Sequence, residues 1–196
     1  RRDYKGYALP PHNITYVAIG AAMLWIGWFG FNAGSGLAAD GLAGNALMVT
    51  NLAAATAALT WASLEWIIDK RPTTVGICTG AVGGLVAITP AAGFVSVTGA
   101  LIIGVVVSLV CFVMVARVKP KLGYDDSLDA FGIHGVGGII GAILTGILAT
   151  PFIQESYKGA IYGNFNQLWI QLLAVLATMV FSGVGTYIIF KVTDKL

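Results

Sequence analysis

His134 lies inside a stretch free of Asp, Glu, Lys and Arg, Ala130-Phe131-Gly132-Ile133-His134-Gly135-Val136-Gly137-Gly138. Ionisable groups are expensive within a bilayer, so a histidine in such a setting points to a substrate or proton pathway. The alternative is a neutral imidazole hydrogen-bonded across a helix interface. At about 100° per residue, the helix face around His134 holds Phe131, Gly137, Gly138, Gly141, Thr145 and Leu148. The opposite face holds Val136, Ile139, Ile140, Ile143 and Ile147. This wheel predicts that His134 faces the protein and the isoleucines face lipid.

Trp28, Phe31, Asn32 and Ser35 fall at i, i+3, i+4 and i+7, which places two aromatics and two polar groups on one helical stripe. Aromatic faces attract cations and side-chain oxygens replace lost hydration, so the stripe suits a small cationic guest. Helix packing is the competing explanation for such a stripe. Trp25, Trp61, Trp66 and Trp169 read as interface-belt or packing residues. Asp125, Asp126 and Asp129 precede the His134 helix, where carboxylates cap free N–H groups. Asp129 is too far below His134 for a direct bond and is expected to hold that helix end in place. Glu65 and Asp69, beside Lys70 and Arg71, read as a charge cluster at the membrane edge. His12, in Pro10-Pro11-His12-Asn13, sits at a helix start outside the membrane core. Cys78 and Cys111 lie in uncharged stretches and read as packing residues. No HExxH, GxSxG or phosphate loop is present, so an enzyme, a metal site or a bound cofactor is not expected.

The elements that position these residues follow from composition. Of 196 residues, 57% are hydrophobic and 10% charged, against roughly 25% charged in a soluble domain. Residues 6–39, 41–64, 72–116, 130–154 and 159–190 carry no charge, and each stretch is long enough to cross a hydrocarbon core. The longest holds two crossings, broken at Thr89-Pro90-Ala91-Ala92-Gly93. The fold class is therefore all-α: a polytopic membrane protein of one domain, 1–196, with helices near 13–37, 43–69, 73–91, 95–117, 129–150 and 166–192. Spans of this length without alternation disfavour a β-barrel. With the N-terminus cytoplasmic, Arg1, Arg2, Lys5, Lys70, Arg71, Arg117, Lys119, Lys121, Lys191 and Lys195 fall inside and Lys158 alone outside. Both ends of this chain are thus expected in the cytoplasm, with no nucleic-acid partner. Small-xxx-small spacings, Gly76/Gly80/Gly84 and Gly137/Gly141, predict close helix packing. The opening Arg1-Arg2-Asp3-Tyr4-Lys5 lacks Met and reads as the middle of a loop, so the chain is expected to be part of a longer protein.

Four motifs in order, Pro11-His12-Asn13, Gly27-Trp28-Phe29-Gly30-Phe31-Asn32-Ala33-Gly34-Ser35, Gly99-Ala100-Leu101-Ile102-Ile103-Gly104 and Asp129 to Gly138, resemble the ammonium transporter/Rhesus superfamily. The resemblance covers essentially the whole chain and implies helices six to eleven of eleven: the second inverted repeat plus the final helix. It implies an ammonium/ammonia pore within a homotrimer in the cell membrane. In that frame Phe31 resembles a gating phenylalanine, Ser35 the serine of an outer recruitment site and Trp28 a pore-lining tryptophan. His134 resembles one of two paired pore histidines, and Asp129 an aspartate supporting the pore. A PII-type signalling protein is the implied cytoplasmic partner. One half of such a pore is expected to transport poorly alone. The other readings are a Rhesus-like ammonia gas channel, which Ser35 disfavours, and a non-transporting sensor or degenerate fragment.

Overall fold

In a bilayer every backbone N–H and C=O must be satisfied within the chain, and helices satisfy it locally. A computed structural model describes residues 11–196, and among them it is helical throughout its regular structure. Arg1, Arg2 and Lys5 of the charge asymmetry lie outside the described residues. Helix α1 (Ile14–Ala33) starts at Asn13, whose side chain accepts from the Tyr16 N–H at 3.2 Å, and ends in a tight 3-10 turn, Gly34–Gly36. Helix α2 (Gly41–Asp69) is capped by Asp40, and α3 (Thr74–Ile88) by Thr73. Helix α4 (Val97–Val113) continues through a π-helical stretch, Met114–Val118, into the four-residue α5 (Lys119–Leu122). A second π-helical stretch, Phe131–Gly135, leads into α6 (Val136–Leu148), and α7 (Phe165–Thr193) ends the chain.

Five of these helices are long and apolar enough to cross a membrane; α3 is a shorter apolar helix of 15 residues. It stops short of the expected residue 91 because Pro90 supplies no N–H, and the chain then turns through residues 89–94. The expected helix at 129–150 begins two residues later, because Asp129 takes a left-handed conformation with φ 55°.

The core forms where α2 meets α3 and α4, and α6 closes it from the other side of α3 and α4. Ala53, Ala54, Ala57 and Ala58 make one buried face of α2, and Gly80 and Gly84 of α3 lie against it. A methyl group on Gly84 would stand 2.5 Å from the Ala53 carbonyl oxygen, so only glycine permits this approach. Lipid supplies no hydrophobic drive for association, and close backbone packing takes its place. Polar groups buried in this core are satisfied: the Ser108 hydroxyl donates to Ala57 O at 3.0 Å across the α4–α2 interface, and that of Thr145 to Gly141 O at 2.8 Å. Both cysteines are free; Cys111 is buried in the core and Cys78 half-buried.

The expected charge cluster at the α2 end is organised differently. Glu65 accepts from the backbone N–H of Thr73 at 2.6 Å, from its hydroxyl at 3.0 Å and from Trp61 Nε1 at 3.3 Å, locking the α2–α3 turn. Lys70 instead donates to Ile67 O at 3.0 Å. Trp61 packs edge-on against Phe112 at 5.2 Å, and Trp25 donates to Asn51 Oδ1 at 3.1 Å, tying α1 to α2. Trp66 and Trp169 are exposed on the outer surface.

Candidate functional site

Two recesses meet along α1. The larger, about 700 Å³, is lined by Trp28 of α1, by Thr89 and Pro90 beyond α3, by Phe131, His134, Gly135, Gly138, Ile139 and Ala142 of the π-turn and α6, and by Thr178 and Ser182 of α7. The smaller, about 320 Å³, is lined by Phe31, Asn32 and Ser35 of α1, by Ala43 and Ala46 of α2, and by Thr89 and Phe94. Thr89 borders both. It is held by donating to Leu85 O at 2.8 Å, and its oxygen accepts from Trp28 Nε1 at 2.7 Å. Trp28 and Phe31 meet edge to face, with ring centroids 5.9 Å apart, at the junction of the two recesses.

The structure thus gathers Phe31, Asn32 and Ser35 in one recess, and Trp28 and His134 in the other. The Ser35 hydroxyl donates to Phe31 O at 2.6 Å, so its proton is spent within the helix and its lone pairs remain free to accept from a guest. Asn32 lines the recess and also has a structural tie: its amide donates to the Thr50 hydroxyl at 2.9 Å and joins α1 to α2. Thr50 is fully buried and donates its own proton to Ala46 O, so its oxygen accepts from the Asn32 amide with one of its two lone pairs.

His134 departs from the wheel. Gly137, Gly141 and Thr145 are buried as expected, but the His134 side chain is exposed to the larger recess, and Ile139, expected on the lipid face, lines that recess beside it. The cause is the π-helical stretch Phe131–Gly135, where i→i+5 bonding widens the turn and changes the angle between His134 and the residues that follow. The glycine stripe packs on α3 while the imidazole stands at the edge of that contact, open to the cavity.

Asp126 caps this segment, its carboxylate accepting from the N–H groups of Phe131 and Gly132 at 3.1 Å. Asp129, expected among the caps, instead receives Lys119 Nζ at 2.6 Å. The Lys119 side chain is only 8% exposed, so the pair ties the start of α5 to the segment just before the π-turn. Lys119→Met is expected to leave the Asp129 carboxylate without its cation, to cost about 1–3 kcal/mol and to loosen the turn carrying His134. Thermal melting, with hydrogen exchange at the amides of Phe131–Gly135, measures this; unchanged values in both would show the pair to be idle. Sequence reasoning missed Thr89 and Phe94, which lie in the Pro90 turn where only a break was legible.

A bundle of apolar helices, five of them long and apolar enough to cross a membrane, defines a multi-pass membrane protein. The model of the Ammonium Transporter Family matches residues 1–196, and the chain belongs to that family. It is 52% identical over 188 residues to an ammonium transporter of Aquifex aeolicus, covering 96% of this chain and 44% of that protein. To an ammonium transporter of Bacillus subtilis it is 48% identical, covering 99% and 48%. Among solved structures, Saccharomyces cerevisiae Mep2 superposes with a TM-score of 0.90 at 39% identity, over 95% of this chain and 45% of that one. A sensor Amt protein superposes with a TM-score of 0.84 at 30% identity, over 93% and 45%. The chain spans about half the length of the relatives it matches.

Proposed function

We propose that this chain builds one wall of a transmembrane path for ammonium and ammonia. The observation that carries the reading is the pair of recesses joined at Trp28, Phe31 and Thr89, one presenting the Ser35 hydroxyl and the other His134. In the smaller recess a cation that sheds water is met by the Phe31 face and by the lone pairs of Ser35, which accept N–H donors. Trp28, its indole N–H engaged by Thr89, offers a ring of fixed orientation at the passage between recesses. Beyond it, a neutral His134 imidazole accepts an N–H from the guest at one ring nitrogen and donates at the other.

The paired-histidine arrangement calls for a second imidazole facing His134 across the larger recess. His12 precedes α1, outside the span, so that partner would come from beyond these 196 residues. Transport is accordingly an activity of the whole protein, assembled as a homotrimer. The basic asymmetry supports both ends of this chain lying in the cytoplasm, where a PII-type protein would dock.

Uptake of ammonium or methylammonium by cells lacking transporters of their own tests the reading. The whole protein should give saturable uptake, and Ser35→Ala should raise KM by about three- to tenfold, the loss of one hydrogen bond to a cation, with the maximal rate little changed. Absence of saturable uptake by correctly inserted protein would refute it.

A further inference from the structure

We infer that Phe94 sets the affinity of the smaller recess for a cation, its ring forming a second aromatic wall facing the Phe31–Ser35 side; this rests on the reading of that recess as the receiving site. Phe94 is half-buried and lines the cavity with Phe31 and Ser35. It lies in the turn between α3 and α4, a place where an apolar ring serves no core: its neighbours Ala92 and Val95 are buried, and the ring is not.

The turn is held by hydrogen bonds from distant parts of the chain. The Phe94 carbonyl accepts from Thr150 N at 2.8 Å, and its N–H donates to Ala91 O at 2.8 Å. On either side, Gly93 O accepts from Gln154 Nε2 at 2.7 Å and Val95 O from Asn45 Nδ2 at 3.2 Å. The Phe94 ring itself meets Tyr157 edge to face, with centroids 5.1 Å apart. Groups from α2 and from the segment after α6 thus converge to fix one partly exposed ring. An aromatic face attracts a cation through its quadrupole, and the attraction grows as water is excluded. A ring of set orientation at a recess that also offers the Ser35 lone pairs is pre-organised for a small cation bearing N–H donors. A neutral guest gains little from it.

The test is methylammonium uptake by the whole protein, with rates normalised to inserted protein. Phe94→Leu removes the π face and keeps an apolar side chain; Phe94→Tyr keeps the ring. KM for Phe94→Leu is expected to rise by about three- to tenfold with the maximal rate unchanged, and Phe94→Tyr should stay within about twofold of the parent. Phe94→Met, a different apolar side chain without a π face, carries the same expectation if Phe94→Leu fails to insert. An unchanged KM in the ring-less variant overturns the inference. So does a fall in maximal rate alone, or a Phe94→Tyr variant as impaired as Phe94→Leu, because these are the marks of a structural role. Loss of saturable uptake in the parent would instead overturn the transport reading beneath it.

Discussion

His134→Ala in the whole protein should leave folding and insertion intact while shifting ammonium over K+ uptake by about tenfold or more, the range of one hydrogen bond to a charged guest. The side chain is exposed to a cavity and does not belong to the buried core, so its removal opens no hole among packed groups. A surface-type substitution of this kind changes stability by no more than about 0.5 kcal/mol. K+ offers no N–H to the imidazole, whereas ammonium does, so the difference between the two ions is what the ring reads. Uptake of both ions, alongside a melting curve of the purified variant, measures the effect. Unaltered selectivity in a well-folded His134→Ala protein would return the histidine to a helix-interface role.

Gly141→Ala is expected to give the largest loss of stability. A methyl group there would overlap the Ala87 carbonyl oxygen and stand 2.7 Å from the Ala87 Cα, and these are backbone atoms of α3 that no rotamer change can move aside. Overpacking of this kind costs about 1–3 kcal/mol, here concentrated on the contact that fixes α6, and with it His134, relative to α3. Gly138, one turn earlier on the same helix, provides the comparison. Its added methyl would meet only Val86 Cγ1 at 4.0 Å, so Gly138→Ala should melt close to the parent. Equal melting temperatures for the two variants would contradict the close α3–α6 approach.

The relation between the sites follows from the same contacts. Trp28 and Thr89 connect α1 to the end of α3, Gly141 connects α3 to α6, and Lys119–Asp129 connects the start of α5 to the segment just before the π-turn. The distance between the Ser35 and His134 recesses is therefore set by backbone packing, while the side chains facing a guest are left free of structural duty. Trp28 and Asn32 are the exceptions, the indole N–H engaged by Thr89 and the amide by Thr50.

The membrane class, the places where charge interrupts the spans, and the approximate helix starts near residues 13, 43 and 73 were legible in the residues alone. Apolar length answers to the thickness of a bilayer, and a cap acts within three residues of itself, so neither depends on distant parts of the chain. The glycine spacings were legible for the same reason, since a period of four along a helix marks one face. What faces what across the bundle was decided by the tertiary structure. A wheel assumes a constant angle per residue, and the π-turn at Phe131–Gly135 breaks that constancy just before the helix it was meant to orient, bringing Ile139 into the recess beside His134. Asp129 reads as one more capping carboxylate until Lys119 is brought to it from the start of α5. Thr89 and Phe94 belong to a turn whose only local signal is a break at Pro90. Their place in the recesses depends on partners such as Trp28, 61 residues away in the chain, and on a carbonyl aligned by Gln154, contacts that exist only once the helices have packed.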